Sequence, residues 1–212
     1  MTGKPVRSAI EVRKLAAGYG QVPVINDVDW SLRPGALAAV IGPNGGGKST
    51  LLKALVGLIR PMQGQVRVFG ENPRLVRRNI AYLAQGEEVD WRFPISVWDV
   101  VLQGRMLRRG LWGRLTAEDR ARAEAALIEF EIAPLANQQI GSLSGGQRQR
   151  VFLARAVAQE ADLILLDEPN TGLDARAQHE LAEMFIRLRQ AGRTIVVATH
   201  DLDCLMECFD QV

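Results

Sequence analysis

The chain has 212 residues and a formal net charge of +2, with 47% hydrophobic and 24% charged residues, the composition of a globular protein. Its length suits one large domain or a core with a smaller subdomain, and so small a net charge predicts no strong field for a polyanion such as nucleic acid. No apolar run reaches the roughly 18 residues of a membrane-spanning helix, and residues 1–7 lack the apolar stretch of a signal peptide, so we expect a cytoplasmic protein.

The first strongly predictive stretch is a glycine-rich loop between a strand and a helix. Leu37–Ile41 is apolar and of strand length, and residues 51–59 repeat their apolar side chains at helical spacing. Between them the sequence fits Gly, four residues, Gly-Lys-Ser/Thr, the pattern of a phosphate-binding loop. The loop residues are Gly42, Pro43, Asn44, Gly45, Gly46, Gly47, Lys48, Ser49 and Thr50.

This pattern favours binding of a polyphosphate. Because glycine has no Cβ, backbone N–H groups can curl around phosphate oxygens, and the positive end of the following helix dipole points at the same anion. Lys48 would reach the terminal phosphates, and the Ser49 hydroxyl would ligate Mg²⁺. The alternative is a glycine-rich turn before an ordinary helix, which the strand–loop–helix context disfavours.

The remaining elements alternate between strand and helix. Strand patterns occur between residues 10 and 69, where Gln65, Val66, Arg67 and Val68 predict a sheet with one solvated face, and at residues 80–84. Residues 98–133 read as helical, with a helix start at Thr116, and predict a helical insert. Further along, residues 147–159 are predicted to be helical, residues 163–166 and 194–199 to be strands buried on both faces, and a further strand is expected near residue 209. A further helix is predicted by apolar residues spaced four, three and four apart, which lie on one helix face: Ala177, Leu181, Met184 and Leu188.

Two carboxylates follow the strand over residues 163–166. Phosphate chemistry needs a carboxylate near Mg²⁺, usually through a bound water, and Asp167 is well placed for this. Glu168 lies one residue later and can polarise an attacking water beside the terminal phosphate. The alternative, an ordinary acidic turn, is disfavoured by the phosphate loop upstream in the same βα framework.

A second junction of glycines with a helix lies at Ser144, Gly145, Gly146 and Gln147. Ser144 can cap the helix, and the glycine N–H groups can face an anion, but physics alone leaves a plain capped helix open. With Leu143 the segment reads Leu-Ser-Gly-Gly-Gln, and here the chain resembles the ATP-binding cassette (ABC) ATPases, whose signature this is. Its place between the phosphate loop and the carboxylates also matches that family.

Other family elements occur in the same order. Tyr19 resembles the aromatic residue that stacks on adenine, and Gln85 resembles the Q-loop glutamine. Asp174 resembles the last residue of the D-loop. His200 resembles the switch histidine, for which the alternative is a histidine at a strand end with its hydrogen bonds satisfied. The resemblance covers nearly the whole chain. It implies an α/β fold with a P-loop NTPase core and a mainly parallel sheet, an N-terminal antiparallel β subdomain and an inserted α-helical subdomain, all within one ABC ATPase domain (1–212, insert 86–142).

The resemblance also implies how the site works. Two copies close head to tail around two ATP molecules, so that the phosphate loop of one faces residues 144–147 of the other. Lys48 would hold the β- and γ-phosphates, Glu168 would act on the attacking water and His200 would touch the γ-phosphate. Ser49, Gln85 and Asp167 would bind Mg²⁺, Asp167 through a water molecule. Gln85 would also be a hinge that reports ATP occupancy to a partner.

The start of the insert resembles the ATPases of bacterial manganese, zinc and iron uptake transporters. The matching residues are Asp90, Trp91, Phe93, Pro94, Val100, Val101, Gly104 and Arg105. Trp91, Phe93 and Trp98 cluster beyond Gln85, where they would either form a groove for a helix of a membrane permease subunit or fill the insert's own core. We therefore expect an ATPase on the cytoplasmic face of the membrane, with its permease and, indirectly, a substrate-binding protein as partners, and no nucleic acid.

Several expectations concern the rest of the chain. A run of arginines favours a solvated face, with contact with a membrane surface or a partner as the next alternative and nucleic acid as the third. The run comprises Arg105, Arg108, Arg109, Arg114, Arg120 and Arg122. Cys204 and Cys208 are expected to be two buried thiols. Family members usually continue beyond His200 for a few elements, so we expect a truncated C-terminal end. Two alternatives to metal transport remain: a non-transport ABC ATPase, for which no coiled-coil run separates the motifs, and a nucleotide-dependent binding module, against which Glu168 argues.

Overall fold

The computed structural model describes residues 8–85, 91–109, 113–200 and 208–212. An antiparallel sheet has the strand order β2–β1–β4, and a parallel sheet has the order β3–β7–β6–β5. The strands are β1 (Ile10–Tyr19), β2 (Val22–Leu32), β3 (Leu37–Ile41), β4 (Gln63–Val68), β5 (Ile80–Leu83), β6 (Leu163–Asp167) and β7 (Thr194–Thr199). The helices are α1 (Lys48–Leu55), α2 (Val97–Arg109), α3 (Ala117–Glu129), α4 (Gly145–Ala158) and α5 (Ala175–Gln190). This arrangement confirms the predicted α/β class.

The parallel sheet lies between two apolar layers. Every residue of β6 and β7 is buried, which confirms the prediction of strands covered on both faces. Alternate residues of these strands enter different clusters: Ile164 packs with the helical layer, whereas Leu165 packs with α1 and the antiparallel sheet. In β4, Val66 is buried while Arg67 is exposed, as the alternating pattern predicted.

Two predicted elements end earlier than the sequence pattern indicated. The helix expected to reach residue 59 stops at Leu55, because Gly57 adopts the left-handed conformation with φ of +75°. The strand expected over residues 80–84 ends at Leu83. Apolar periodicity continues past both ends, so only the backbone conformation decides where the elements stop.

The described part of the segment between β5 and α4 is helical. It contains α2, α3 and two short 3₁₀ turns, Ala133–Leu135 and Ile140–Ser142. The predicted start of α3 is confirmed, since Thr116 Oγ1 accepts a hydrogen bond from the Asp119 N–H, and the Asp119 carboxylate accepts one from the Thr116 N–H. The limits 86–142 for a separate insert stay a prediction, and residues 86–90 and 110–112 lie outside the described ranges.

Most of the arginine run is solvated, with Arg109, Arg114, Arg120 and Arg122 exposed, so the expectation was wrong only for the buried Arg105. Arg105 is only 5% exposed, and its guanidinium lies 3.0 Å from Asp119 Oδ1 and 3.1 Å from Glu160 Oε2. Asp119 is completely buried and also pairs with Arg109 at 2.8 Å. These ion pairs join α2 and α3 to the end of α4. The sequence pattern missed them because the carboxylate partners lie outside α2, Asp119 on α3 and Glu160 in the turn after α4.

The C-terminal described residues add a short edge to the parallel sheet. The Ala39 N–H donates to Gln211 O (2.9 Å), and the Leu37 N–H donates to the Asp210 side chain (2.9 Å), near where a further strand was expected. Cys208 is half-buried against the helical layer, and Cys204 lies outside the described residues. Within the described ranges, no group of side chains forms a metal cluster and no helix is long and apolar enough to cross a membrane.

Candidate functional site

The predicted site residues from four strands meet at one edge of the parallel sheet. Because β3, β5, β6 and β7 run in the same direction, the loops that follow them emerge at the same end. This places Gly42 after β3, Gln85 after β5, Glu168 after β6 and His200 after β7. A cavity of about 510 Å³ joins several of them. It is lined by Tyr19, Val24, Asn44, Gly45, Gly46, Gly47, Lys48, Ser49, Thr50, Lys53, Gln85 and Glu168.

The phosphate loop ends in Gly47, whose backbone conformation is one that glycine adopts readily and other residues rarely do. Gly47 precedes α1 with φ of +89°, and a Cβ at this position would collide with Ile25 Cγ2. No side chain caps α1, and its first turn holds no acidic residue. The positive end of the helix dipole is therefore available to an anion in the cavity.

Lys48 is held across the loop and reaches Glu168. Its side chain is 7% exposed, and its Nζ donates hydrogen bonds to Gly42 O (2.8 Å) and Pro43 O (3.2 Å). The same Nζ lies 3.0 Å from Glu168 Oε1. The ammonium group is thus fixed between the phosphate loop and the carboxylate of Glu168, the predicted catalytic residue.

Glu168 adopts an unusual backbone conformation. Its φ of +49° is in the left-handed region, which costs a residue with a Cβ about 1 kcal/mol or more. The surroundings hold it there: its N–H donates to Ala198 O (2.8 Å), and its Oε2 lies 2.7 Å from His200 Nδ1. This conformation directs a 6% exposed carboxylate towards both His200 and Lys48.

Asp167 offers a buried carboxylate oxygen to a cation. Burial raises the pKa of this carboxyl group, while hydrogen bonds from the side chains of Ser49 and Tyr82 oppose that rise. The Tyr82 hydroxyl donates to Oδ2 (3.1 Å), whereas Oδ1 accepts no hydrogen bond from any described residue. A hard cation such as Mg²⁺, or its bound water, needs such an oxygen. The residues present therefore fit Mg²⁺.

The second glycine-helix junction lies in a different cavity. Ser144 Oγ accepts from the Gln147 N–H (3.3 Å), and Gln147 Oε1 accepts from the Ser144 N–H (2.9 Å), so both form a capping box. A cavity of about 530 Å³ contains residues 144–147 together with Asp174, which caps α5. None of residues 144–147 lines the phosphate-loop cavity.

A third cavity, of about 430 Å³, lies beside Gln85. Trp91 lines it, with its ring 5.9 Å from that of Phe152 and the Arg148 guanidinium 4.3 Å above it. Phe93 is 63% exposed, and Trp98 packs against the core. The three predicted aromatics thus divide between core, cavity and surface. The sequence pattern missed Arg148, because only the fold brings α4 to Trp91.

A phosphate-binding loop, a strand-end pair of carboxylates and a histidine at one edge of a parallel sheet define a nucleoside triphosphatase of the P-loop class. Residues 25–171 match the sequence model of the ABC transporter family, and the chain belongs to that family. The site is accordingly that of an ATP-binding cassette ATPase.

Individual relatives agree with this assignment. The zinc transport system ATP-binding protein TroB of Treponema pallidum is 45% identical over 204 residues, covering 96% of this chain and 77% of that protein. The manganese transport system ATP-binding protein MntB of Bacillus subtilis is 40% identical over 203 residues, covering 96% and 81%. Among solved structures, an inward-facing ABC transporter described as metal-chelate type superposes with a TM-score of 0.84 at 34% identity, covering 96% of this chain and 77% of the other.

Proposed function

We propose that the protein is the ATP-hydrolysing subunit of a bacterial ABC transporter that imports a manganese, zinc or iron-type metal ion. It works on the cytoplasmic face of the membrane, docked to a permease that receives its cargo from a substrate-binding protein. The observation that carries the hydrolytic part is the position of Glu168 between Lys48 and His200. The metal cargo is supported by the zinc and manganese systems to which the relatives belong.

The predicted site residues have distinct roles in ATP hydrolysis. The Tyr19 ring, 57% exposed, stacks on adenine, and the phosphate loop with Lys48 holds the phosphates. Glu168 accepts a proton from the attacking water while the oxygen of that water bonds to the γ-phosphorus. ADP leaves with the electrons of the broken P–O bond. His200 holds the Glu168 carboxylate in place. Ser49, Gln85 and Asp167 would hold Mg²⁺, which would neutralise phosphate charge.

Two copies are needed to complete each site. The signature residues 144–147 and Asp174 line a cavity that is separate from the phosphate-loop cavity. An ATP molecule held by Lys48 therefore lacks contact with the signature of its own chain. The exposed start of α4 instead serves the ATP of a second copy packed head to tail, as symmetric pairing of two incomplete sites allows.

Mixing two inactive variants tests this arrangement. Lys48→Ala removes the phosphate-loop lysine, and Ser144→Arg blocks the signature, so each homodimer is inactive. Random pairing makes about half of the dimers mixed, and each mixed dimer has one intact site, so up to roughly a quarter of wild-type turnover should return. Turnover that stays at the level of the separate variants would contradict the head-to-tail dimer.

The cavity beside Gln85 is the docking place for a permease helix. It combines an apolar wall of Trp91 and Phe152 with the charge of Arg148, as in grooves that receive amphipathic helices. Trp91→Ala should reduce co-purification with the permease while turnover of the isolated subunit persists. Trp30→Phe, in the antiparallel sheet, is the control. Unchanged co-purification of Trp91→Ala would rule out this docking place.

Transport itself is tested in membrane vesicles that contain the permease, the substrate-binding protein and this subunit. Uptake of radioactive manganese, zinc and iron is measured with ATP on the cytoplasmic side. We expect ATP-dependent uptake of at least one of the three, abolished by Glu168→Gln. ATP turnover without uptake of any of them would overturn the metal cargo but leave the ATPase assignment intact.

A further inference from the structure

Tyr82 is a polar residue in the central sheet that neither the phosphate loop nor the family motifs account for. It lies on β5 opposite Leu165 of β6, and residues paired in this way point to the same face of a sheet. Asp167 is two residues beyond Leu165 on β6 and therefore points to that face as well. Two residues of strand span about 6.6 Å, which the long axis of a tyrosine can bridge.

The Tyr82 hydroxyl makes that connection. It lies 3.1 Å from Asp167 Oδ2 and donates a hydrogen bond to it, while the Tyr82 ring packs against the core below α1. The other oxygen, Oδ1, is buried and accepts no hydrogen bond from the described residues. Rotation of the carboxylate about its Cβ–Cγ bond is therefore restricted, with one oxygen occupied by the phenol and the other left available.

We infer that Tyr82 is a positioning residue for the divalent cation: it fixes the Asp167 carboxylate so that Oδ1 is presented to Mg²⁺ or to a water bound to it. This inference rests on the proposed role of Asp167 in holding the metal. Outer partners of metal-binding carboxylates commonly contribute to affinity because they orient the ligand before the cation arrives. A phenylalanine would fill the same space but remove the restraint that the phenol places on the carboxylate.

The test compares Tyr82→Phe with the wild type in the full chain. Mn²⁺, which is paramagnetic, replaces Mg²⁺ as the probe, and its binding to the protein–ADP complex is followed by electron paramagnetic resonance. We expect the dissociation constant for Mn²⁺ to rise on the order of 10-fold. ADP affinity in the presence of a chelator should stay unchanged, because Lys48 and the loop hold the phosphates. In turnover assays, more Mg²⁺ should be needed for half-maximal rate, while the rate at saturating Mg²⁺ changes less.

Thr194→Val is the matched control. Thr194 is 1% exposed and sits at the opposite end of β7, where its hydroxyl accepts a hydrogen bond from the Gly35 N–H (3.0 Å). The Thr194→Val change thus removes a buried hydroxyl from the same sheet without touching Asp167. The Mn²⁺ affinity of this variant should equal that of the wild type. Tyr82→Met serves in place of Tyr82→Phe if the latter does not fold.

Three results would overturn the inference. Wild-type Mn²⁺ affinity in Tyr82→Phe would leave Tyr82 with a packing role only. An equal loss in Thr194→Val would indicate general loosening of the sheet. Asp167→Asn is the test of the underlying assignment: if it binds Mn²⁺ as tightly as the wild type, the proposed metal role of Asp167 fails, and the inference about Tyr82 fails with it.

Discussion

Lys48 and Glu168 form an ion pair of 3.0 Å between side chains that are both less than a tenth exposed. One belongs to the phosphate loop and the other to the loop after β6, so the pair joins the two halves of the candidate site. Burial of such a pair is costly unless both charges are well compensated. Bound phosphates would compete with Glu168 for the ammonium group, which links nucleotide binding to the release of the carboxylate.

The first prediction follows from this pair. Glu168→Gln should lower ATP turnover by about 100-fold or more, because the amide cannot accept the proton of the attacking water. ATP affinity should be kept or become tighter, since Lys48 no longer has a competing carboxylate. Phosphate release and equilibrium ATP binding measure the two effects. Glu124→Gln, an exposed change on α3, is the control, and equal turnover of Glu168→Gln and wild type would favour a nucleotide-dependent binding module.

The second prediction concerns the conformation of the phosphate loop. Gly47→Ala should weaken ATP binding on the order of 10-fold or more, because a Cβ there meets Ile25 and forces the loop to shift. Gly192→Ala has a similar positive φ of +84° but open space around it. In thermal unfolding Gly192→Ala should lose about 1 kcal/mol of stability and Gly47→Ala at least as much, yet only Gly47→Ala should lose ATP affinity. Equal ATP affinities of the two variants would contradict the prediction.

The third prediction addresses the buried ion pairs between α2 and α3. Asp119→Ala should lower the free energy of unfolding by about 3 kcal/mol or more, because it removes the fully buried carboxylate that pairs with Arg105 and Arg109 and leaves Arg105 with only the partly exposed Glu160. Glu118→Ala removes an exposed pair with Arg122 and should cost about 0–1 kcal/mol. Urea unfolding compares the two. A similar small loss in both variants would show that the buried pair adds nothing.

The fourth prediction concerns how the stabilisation by the Asp119 carboxylate depends on pH. Burial alone would raise the pKa of Asp119, but hydrogen bonds from Thr116, Arg109 and Arg105 outweigh it and hold the pKa well below its usual range. The stabilising contribution of Asp119 is therefore complete above the unfolded pKa of about 4, and it is lost as the pH falls from that value towards the lower folded pKa. The difference in unfolding free energy between wild type and Asp119→Asn should shrink below about pH 4. A difference that stays constant from pH 7 to pH 3 would contradict this account.

Much of the candidate site can be predicted from local sequence because its parts act over a few residues. The phosphate loop from Gly42 to Thr50 depends on its own glycines, and the start of α4 depends on the pairing of Ser144 with Gln147, three residues apart. The buried strands β6 and β7 were predictable because a strand covered on both faces carries apolar residues without alternation. The roles of these residues towards ATP and Mg²⁺ stay predictions.

What the tertiary structure decided is which of these local parts meet. Strand order places β7 between β3 and β6, so His200 reaches Glu168, and strand register places Tyr82 beside Asp167. Helix packing likewise buries Arg105 against Asp119, where the sequence pattern indicated a solvated arginine. These contacts join residues far apart in the chain, and no periodicity within one element encodes them. The sequence by itself therefore determined the chemical groups and their local shapes, whereas the fold determined their partners.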